Sequence, residues 1–197
     1  MDYTNSKMVT YTKLSPNHSG QRTHAIDRIT PHCVAGQCSV ETIDNIFYPA
    51  SRQASCNYGI GPDGRVGMYV EEKNRSWCSS SNANDQRAVT IECASDTKEP
   101  YWMNDKVYQA LIKLCVDICK RNGKKKPIWL GDKNKTLNYS PKSDEMVLTV
   151  HRWFANKRLK DLNADNEFDE LMLQKRRKSL ALCPKCYEEA KLKSLEL

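Results

Sequence analysis

Segments typical of β-strands alternate along this chain with segments that have helical periodicity. The order of predicted elements is strand, short helix, hairpin, strand, long helix, strand. Helices in such an order cover a sheet, because each must bury its apolar face. The sequence therefore predicts an α/β fold, a single domain with a central mixed β-sheet flanked by helices. The elements lie at 26–34 (strand), 39–47 (helix), 54–70 (hairpin), 87–94 (strand), 104–121 (helix) and 146–151 (strand).

Local signals set the limits of these elements. Ser39 is the predicted N-cap of the short helix, and Asn122-Gly123 ends the long one. Pro31 removes one backbone donor from the first strand, which predicts an edge strand or a bulge there. The polar residues 1–25 are predicted to form a loop that wraps the domain.

Composition excludes several classes of protein. The 197 residues carry 31 Lys and Arg against 24 Asp and Glu, a net charge of +7. No run approaches the ~20 apolar residues that a membrane-spanning helix needs, which argues against a membrane protein. Four Trp and nine Tyr can fill a core, which argues against a disordered chain. The first residues lack a basic segment followed by an apolar one, so we expect synthesis in the cytoplasm without a secretory signal.

The nine cysteines are predicted to be mostly small buried side chains. Their odd number and the expected cytoplasmic synthesis argue against a disulfide framework. Cys115 and Cys119 lie one helical turn apart in an apolar stretch, which is typical of core packing.

The chain changes character after residue 157. Residues 158–197 have no strand signal, and their apolar positions predict two helices broken near Pro184, a helical C-terminal extension of the 1–157 domain. Two basic runs, at 119–127 and 174–178, raise the possibility of nucleic-acid binding. No aromatic-interleaved motif accompanies them, so a solvated surface is favoured and nucleic acid is not an expected partner.

Two of the four histidines end predicted strands. His32 closes the strand 26–34 and His151 closes the strand 146–151. Strand ends on neighbouring strands meet at one rim of a sheet, where the sites of α/β folds lie. A neutral imidazole is the commonest metal ligand, so the two residues predict a shared metal site, with structural histidines as the alternative.

The segments around these histidines follow the order of a known family. His32, the short helix, the hairpin, the segment 82–92 and the sequence LTVHRWFANK resemble the zinc amidases that cleave the N-acetylmuramoyl-L-alanine bond of peptidoglycan. Phage endolysins and bacterial cell-wall amidases belong to this family, and peptidoglycan recognition proteins are relatives. The resemblance covers residues 8–157.

The resemblance implies a role for several residues. His32 and His151 match two ligands of Zn²⁺, Glu92 matches the family's acid/base residue, and Lys157 matches a lysine that stabilises the oxyanion. Cys56 stands where the family often has a tyrosine, so Glu92 is left with more of the proton transfer.

The third ligand departs from the family pattern. Two residues after Lys157, where the family has Cys or Asp, stands Leu159, which cannot bind zinc. Cys183 in the sequence CPKCY is the nearest match, with 158–182 then an insertion. The alternatives are Cys186, a separate metal clip or chance occurrence of CPKC, and no third protein ligand.

The implied function is a zinc-dependent N-acetylmuramoyl-L-alanine amidase of phage or prophage origin, which acts on peptidoglycan after release from the cytoplasm. Its net charge of +7 would draw it to anionic cell-wall polymers. The alternative is a peptidoglycan-binding module that keeps the fold but has lost catalytic zinc. A basic nucleic-acid-binding protein is the third hypothesis.

Overall fold

A computed structural model describes residues 3–98 and 101–154. Within these residues the chain forms nine strands, four α-helices and two 3-10 turns. The strands are β1 Val9–Thr12, β2 His18–Gln21, β3 Arg28–Cys33, β4 Tyr58–Ile60, β5 Val66–Met68, β6 Asn74–Ser76, β7 Ala88–Cys93, β8 Lys126–Ile128 and β9 Glu145–Leu148. The α-helices are α1 Val40–Phe47, α2 Asn82–Asp85, α3 Asp105–Arg121 and α4 Lys133–Leu137, and the 3-10 turns are Ala50–Arg52 and His151–Trp153.

Seven strands form one mixed sheet in the order β1-β5-β4-β7-β3-β9-β8. Only the β4–β5 hairpin pairs antiparallel in this sheet, and β2 pairs with β6 in a separate two-stranded sheet. The predicted α/β fold with a central mixed sheet is therefore confirmed. The predicted boundary at residue 157 and the helices beyond it lie outside the described residues.

Helix α3 packs against one face of the sheet. Its buried Val107, Leu114 and Ile118 belong to the same core cluster as Ile29 of β3 and Ile91 of β7. The Asn104 side chain caps the helix by accepting a hydrogen bond from the backbone N–H of Val107 at 3.0 Å. This face is therefore apolar, and the polar residues of β3 and β7 point to the other side of the sheet.

Helix α1 packs on β4 and β5, where glycines allow a close approach. The hydroxyl of Tyr69 donates to the carbonyl of Val40 at 2.7 Å. A Cβ atom at Gly59 would lie 2.7 Å from the Tyr69 ring, so only glycine fits there. Ser39 caps α1 as predicted, accepting from the N–H of Thr42 at 3.2 Å.

Two local predictions were wrong. Residues 1–25 do not form only a loop, because they contain β1 and β2. Strand β2 (HSGQ) has no apolar residue, whereas β1 (VTYT) does alternate, but over only four residues. Strand β3 is not an edge strand, since it lies between β7 and β9. Pro31 is accommodated because β9 pairs with β3 only at Arg28 and Ile29, and the ladder ends where the proline has no N–H to offer.

The seven cysteines within the described residues are free thiols. Cys56, Cys78, Cys93 and Cys119 are buried, as predicted for most of them. Cys115 is partly buried against the core cluster that contains Cys119, which confirms the prediction of core packing for this pair. No helix among the described residues is long and apolar enough to cross a membrane.

A buried asparagine ties the hairpin to the central strands. The Oδ1 atom of Asn57 accepts from the Thr90 N–H at 3.1 Å and from Arg22 Nη2 at 3.0 Å. Its Nδ2 atom donates to the carbonyls of Val70 at 3.2 Å and Glu71 at 3.3 Å. Asn57 is fully buried, so the loss of its amide would leave these partners unpaired.

We expect Asn57→Ala to lower the free energy of unfolding by about 2–4 kcal/mol, because each unpaired buried group costs ~1–3 kcal/mol. Urea denaturation measures the change. The matched control is Asn134→Ala, an exposed position, where we expect a change within ~0.5 kcal/mol. Equal effects at the two positions would contradict the role of Asn57.

Candidate metal centre

The register of β3 against β7 brings two of the predicted site residues together. His32 is the direct neighbour of Glu92 across the parallel pair. His151 follows β9 on the other side of β3, as the first residue of the 3-10 turn. All three lie at the carboxyl ends of parallel strands, as predicted for the two histidines. His151 lies three residues beyond its strand rather than at its last position.

The three side chains form a compact cluster. The His32 and His151 rings are 4.3 Å apart between centroids and are nearly perpendicular, at 72°. One ligand atom from each of His32, Glu92 and His151 lies within 4.8 Å of the others. The side chain of His32 is 35% exposed and that of Glu92 only 5%. The cluster is therefore open to solvent at His32 and closed beneath at Glu92.

The carboxylate of Glu92 is held in its charged form. Burial raises its pKa, but the neighbouring His32, together with His151 and the thiol of Cys78, more than offsets this, and the pKa lies below its ordinary value. His32 Nδ1 lies 2.9 Å from Oε2 and 3.1 Å from Oε1 of Glu92. An ionised carboxylate only accepts hydrogen bonds, so His32 Nδ1 carries the hydrogen in this arrangement.

His151 is held neutral. Burial and the adjacent His32 lower its pKa to about 4, against a smaller opposing effect of Glu92. Its Nδ1 atom is buried and has no hydrogen-bond partner. A buried ring nitrogen without a hydrogen-bond partner is costly unless a ligand binds it. Two imidazoles and a carboxylate are also a donor set that Zn²⁺ accepts, so the residues fit this metal.

Cys78 lies beneath the cluster and was not predicted to contribute to it. Its Sγ donates to Glu92 Oε1 at 3.8 Å, and burial raises the pKa of the thiol well above its ordinary value. Cys56 is also fully buried beside it. Both thiols are therefore neutral side chains that fill the floor of the site, and Cys56 supplies no phenol in place of the family's tyrosine.

Buried hydroxyls support the histidines from below. Thr30 and Thr149, each two residues before a histidine, have their Oγ1 atoms 2.7 Å apart. Asn84 Nδ2 donates to Thr30 Oγ1 and to Ser79 Oγ, at 3.1 Å in both cases. This chain of hydrogen bonds links β3, the segment after β9 and α2. A threonine in a strand carries no signal of such a role, so sequence reasoning missed it.

An aromatic stack anchors the turn that carries His151. The rings of Trp153 and Trp129 lie parallel within 12° and 5.1 Å apart between centroids. Trp153 is buried, with 6% of its surface exposed. The turn is therefore packed against the segment that follows β8, which limits the positions open to the His151 ring.

Two of the predicted site residues lie outside the described residues. These are Lys157, predicted to stabilise the oxyanion, and Cys183, predicted as the third zinc ligand. Their roles stay predictions, as does the alternative ligand Cys186. The three residues that the structure brings together are His32, Glu92 and His151.

The lowered pKa of His151 predicts how the metal-free protein responds to acid. In the unfolded chain His151 takes up a proton near its ordinary pKa of 6.5, whereas in the folded protein its ring stays neutral until about pH 4 because its pKa is lowered. Stability should therefore fall as the pH is lowered through this window, by up to ~1.4 kcal/mol per pH unit for one proton. Urea unfolding of chelator-treated protein between pH 5 and 7.5 measures the slope. We expect a smaller slope in His151→Asn, and an unchanged slope would contradict the account.

Three solved structures share the fold of this protein. The structure is similar to the selenomethionine derivative of AmpD, with a TM-score of 0.56 and 17% identity over 86% of this chain and 97% of that chain. It is also similar to the Staphylococcus aureus hydrolase AmiA in complex with its ligand, with a TM-score of 0.53 and 10% identity over 87% and 84% of the two chains. Drosophila peptidoglycan recognition protein SD matches with a TM-score of 0.50 and 16% identity over 73% and 79%.

Comparison of the sequence with family models assigns the chain to a family, which similarity of fold alone does not do. No curated protein matches the chain significantly. A family model described as AI2M/AI1M-like, HNH endonuclease matches residues 141–187, a minor part of the chain. A model described as N-acetylmuramoyl-L-alanine amidase matches residues 21–157, which include all three residues of the cluster and Lys157. This match spans more than half of the sequence, and the chain therefore belongs to the N-acetylmuramoyl-L-alanine amidase family.

Proposed function

We propose that this chain is a zinc-dependent hydrolase that cleaves the amide bond between N-acetylmuramic acid and L-alanine in peptidoglycan. The observation that carries the proposal is the cluster of His32, Glu92 and His151 at the carboxyl ends of three neighbouring strands or their extensions. Membership of the amidase family supplies the reaction.

The two imidazoles are the residues that would hold zinc. His151 offers a neutral ring with an unpartnered buried nitrogen, and His32 lies beside it with its ring partly open to solvent. When bound, the metal lowers the pKa of water to ~7 and polarises the amide carbonyl. Thr30, Thr149 and the Trp129–Trp153 stack keep the two strand ends in place, so little ordering remains to be done when the metal arrives.

Glu92 is the proposed general base and acid. It is ionised because its pKa is lowered, and it is buried at the closed side of the cluster. Its carboxylate accepts a proton from the attacking water and then donates it to the leaving nitrogen of L-alanine as the C–N bond breaks. Lys157 is proposed, from the family resemblance, to stabilise the negative charge on the former carbonyl oxygen.

Replacement of the Glu92 carboxylate separates its role as a base from a role as a metal ligand. We expect Glu92→Gln to reduce kcat at least ~100-fold, because a positioned general base contributes ~10²–10⁴-fold. The zinc content should stay near that of the wild type. Hydrolysis of a muramyl peptide and metal analysis of the same preparation give both values.

The control for this experiment is Glu71→Gln, which removes a carboxylate from an ion pair with Lys73 away from the cluster. We expect this variant to keep full activity and full zinc. Loss of zinc in Glu92→Gln would show that the Glu92 carboxylate is needed for metal binding, as a ligand or through its hydrogen bond to His32 Nδ1. Retained activity would exclude it as the base.

The third zinc ligand is proposed to be Cys183. The amidase match ends at Lys157, and Leu159 at the family's ligand position cannot bind metal. The HNH endonuclease match covers both Cys183 and Cys186, whereas the amidase match covers neither. The competing hypothesis is that CPKC is a metal clip of its own, apart from the amidase site. The two matches overlap, because residues 141–154 of the HNH match contain β9 of the seven-stranded sheet and the turn of His151.

Matched cysteine variants distinguish the two hypotheses. If Cys183 completes the catalytic site, the wild type binds one zinc per chain, Cys183→Ser loses zinc and activity, and Cys186→Ser keeps both. If CPKC is a separate clip, both variants lose the same zinc and keep the activity that depends on His32 and His151. Metal analysis after gel filtration, with the hydrolysis assay, measures these outcomes.

The proposed setting is the bacterial cell wall, with peptidoglycan as the substrate. Structural neighbours that include a peptidoglycan recognition protein support it. An endolysin-like role, with the enzyme made in the cytoplasm and released to lyse the wall, follows from the family resemblance. The net charge of +7 favours contact with anionic wall polymers.

A peptidoglycan-binding module without activity is the second candidate, and Leu159 is the observation that favours it. Catalytic zinc sites normally have three protein ligands. A wild-type chain that binds peptidoglycan but holds no zinc and hydrolyses nothing would establish this alternative.

A further inference from the structure

A second polar site lies on the same face of the sheet as the metal centre. A cavity of about 620 Å³ is lined by His24, Arg28, Arg75, Arg87, Leu137 and Phe154, with residues of α2 and its flanks. Arg28, Thr30 and His32 alternate along β3, so their side chains share one face. Four residues of strand place Arg28 about 13 Å from His32.

The cavity is strongly cationic. Three arginines and a histidine line it, and no carboxylate does among the described residues. Arg87 is neutralised by Asp27, whose Oδ1 accepts from Arg87 Nε at 2.9 Å. Arg28 and Arg75 have no ion pair among residues 3–98 and 101–154. Two guanidinium charges therefore remain uncompensated at the cavity wall.

Unpartnered buried atoms are concentrated at this cavity. Arg28 is only 6% exposed, and its Nε atom is buried without a hydrogen-bond partner. Two further atoms are buried without a hydrogen-bond partner, Arg75 Nε and Asn84 Oδ1. Both residues line the cavity. Such groups are costly to bury, so this wall of the cavity is not fully satisfied within the protein. These three atoms are enclosed and do not themselves contact a ligand. What the cavity presents to a ligand is the two uncompensated guanidinium charges of its lining.

We propose that this cavity binds an oxyanion, a phosphate or a carboxylate, carried on a larger molecule. Arginine forms paired hydrogen bonds with either anion. Leu137 and Phe154 provide an apolar wall for the carbon skeleton. Oxyanion binding does not depend on the proposed amidase activity. The identity of the molecule that carries the oxyanion does rest on the proposed function, because a cell wall offers phosphodiesters on its anionic polymers and carboxylates on its peptides.

Calorimetric titration of the full chain tests the proposal with two probes. Glycerol 3-phosphate represents the phosphate source and N-acetylglutamate the carboxylate source, and glycerol is the uncharged comparison. We expect saturable binding of one equivalent of at least one anionic probe and none of glycerol. Binding of the phosphate alone assigns the site to a phosphodiester, and binding of the carboxylate alone assigns it to a peptide.

Three variants locate the binding. Arg28→Gln and Arg75→Gln should each weaken binding at least tenfold. Arg52→Gln, an exposed arginine outside the cavity, should leave it unchanged. Arg75 belongs to the small β2–β6 sheet and is only partly buried, so its variant keeps the test valid if Arg28→Gln fails to fold.

A metal-centre variant separates this site from the catalytic one. His151→Ala should retain the binding, whereas an anion bound at the metal would be lost with it. Failure of both anionic probes to bind the wild type would overturn the proposal. So would equal weakening by Arg75→Gln and Arg52→Gln, or loss of binding in His151→Ala. None of these results depends on amidase activity.

Discussion

The pairing of β3 with β7 is the constraint on which the site depends. Six consecutive residue pairs, from Arg28↔Ala88 to Cys33↔Cys93, lie in parallel register. Side chains alternate across a strand, so a slip of one residue would turn His32 or Glu92 into the apolar face against α3. The buried Ile29, Val89 and Ile91 prevent that slip, because it would bring them to the polar side. The apolar core against α3 thus determines the geometry of a polar site on the opposite face of the sheet.

The polar face of the sheet is organised by buried hydrogen bonds. Asn57 joins the hairpin to β7, and the Thr30–Thr149 contact joins β3 to the segment that leads into His151. Buried polar groups specify an arrangement because few alternatives satisfy them all. The buried atoms without a hydrogen-bond partner include His151 Nδ1 and the Nε atoms of Arg28 and Arg75, which belong to residues of the metal centre and of the cavity. The two proposed ligands, a metal ion and an oxyanion, would bind beside these residues.

The elements with strong local signals were predictable from the sequence. Helix α3 has an asparagine cap and apolar periodicity, and the hairpin has its Asp63-Gly64 turn. Strand β2 was missed because it has no apolar residue, and β1 because its alternation covers only four residues; both pair with strands distant in sequence. Proximity of the histidines followed from their places at strand ends, whereas including Glu92 in the site required the family resemblance. Cys78, Thr149 and the arginine cavity depend on tertiary contacts that no local pattern encodes.

The central claim is that His32 and His151 bind a zinc ion and that Glu92 acts beside it as general base and acid. Anomalous diffraction at the zinc edge, from crystals of the full chain grown with zinc, tests it most directly. The account predicts a peak about 2.0–2.1 Å from one nitrogen of each histidine, with Glu92 beside it. No peak at these nitrogens, with zinc found only at Cys183 and Cys186, would contradict it.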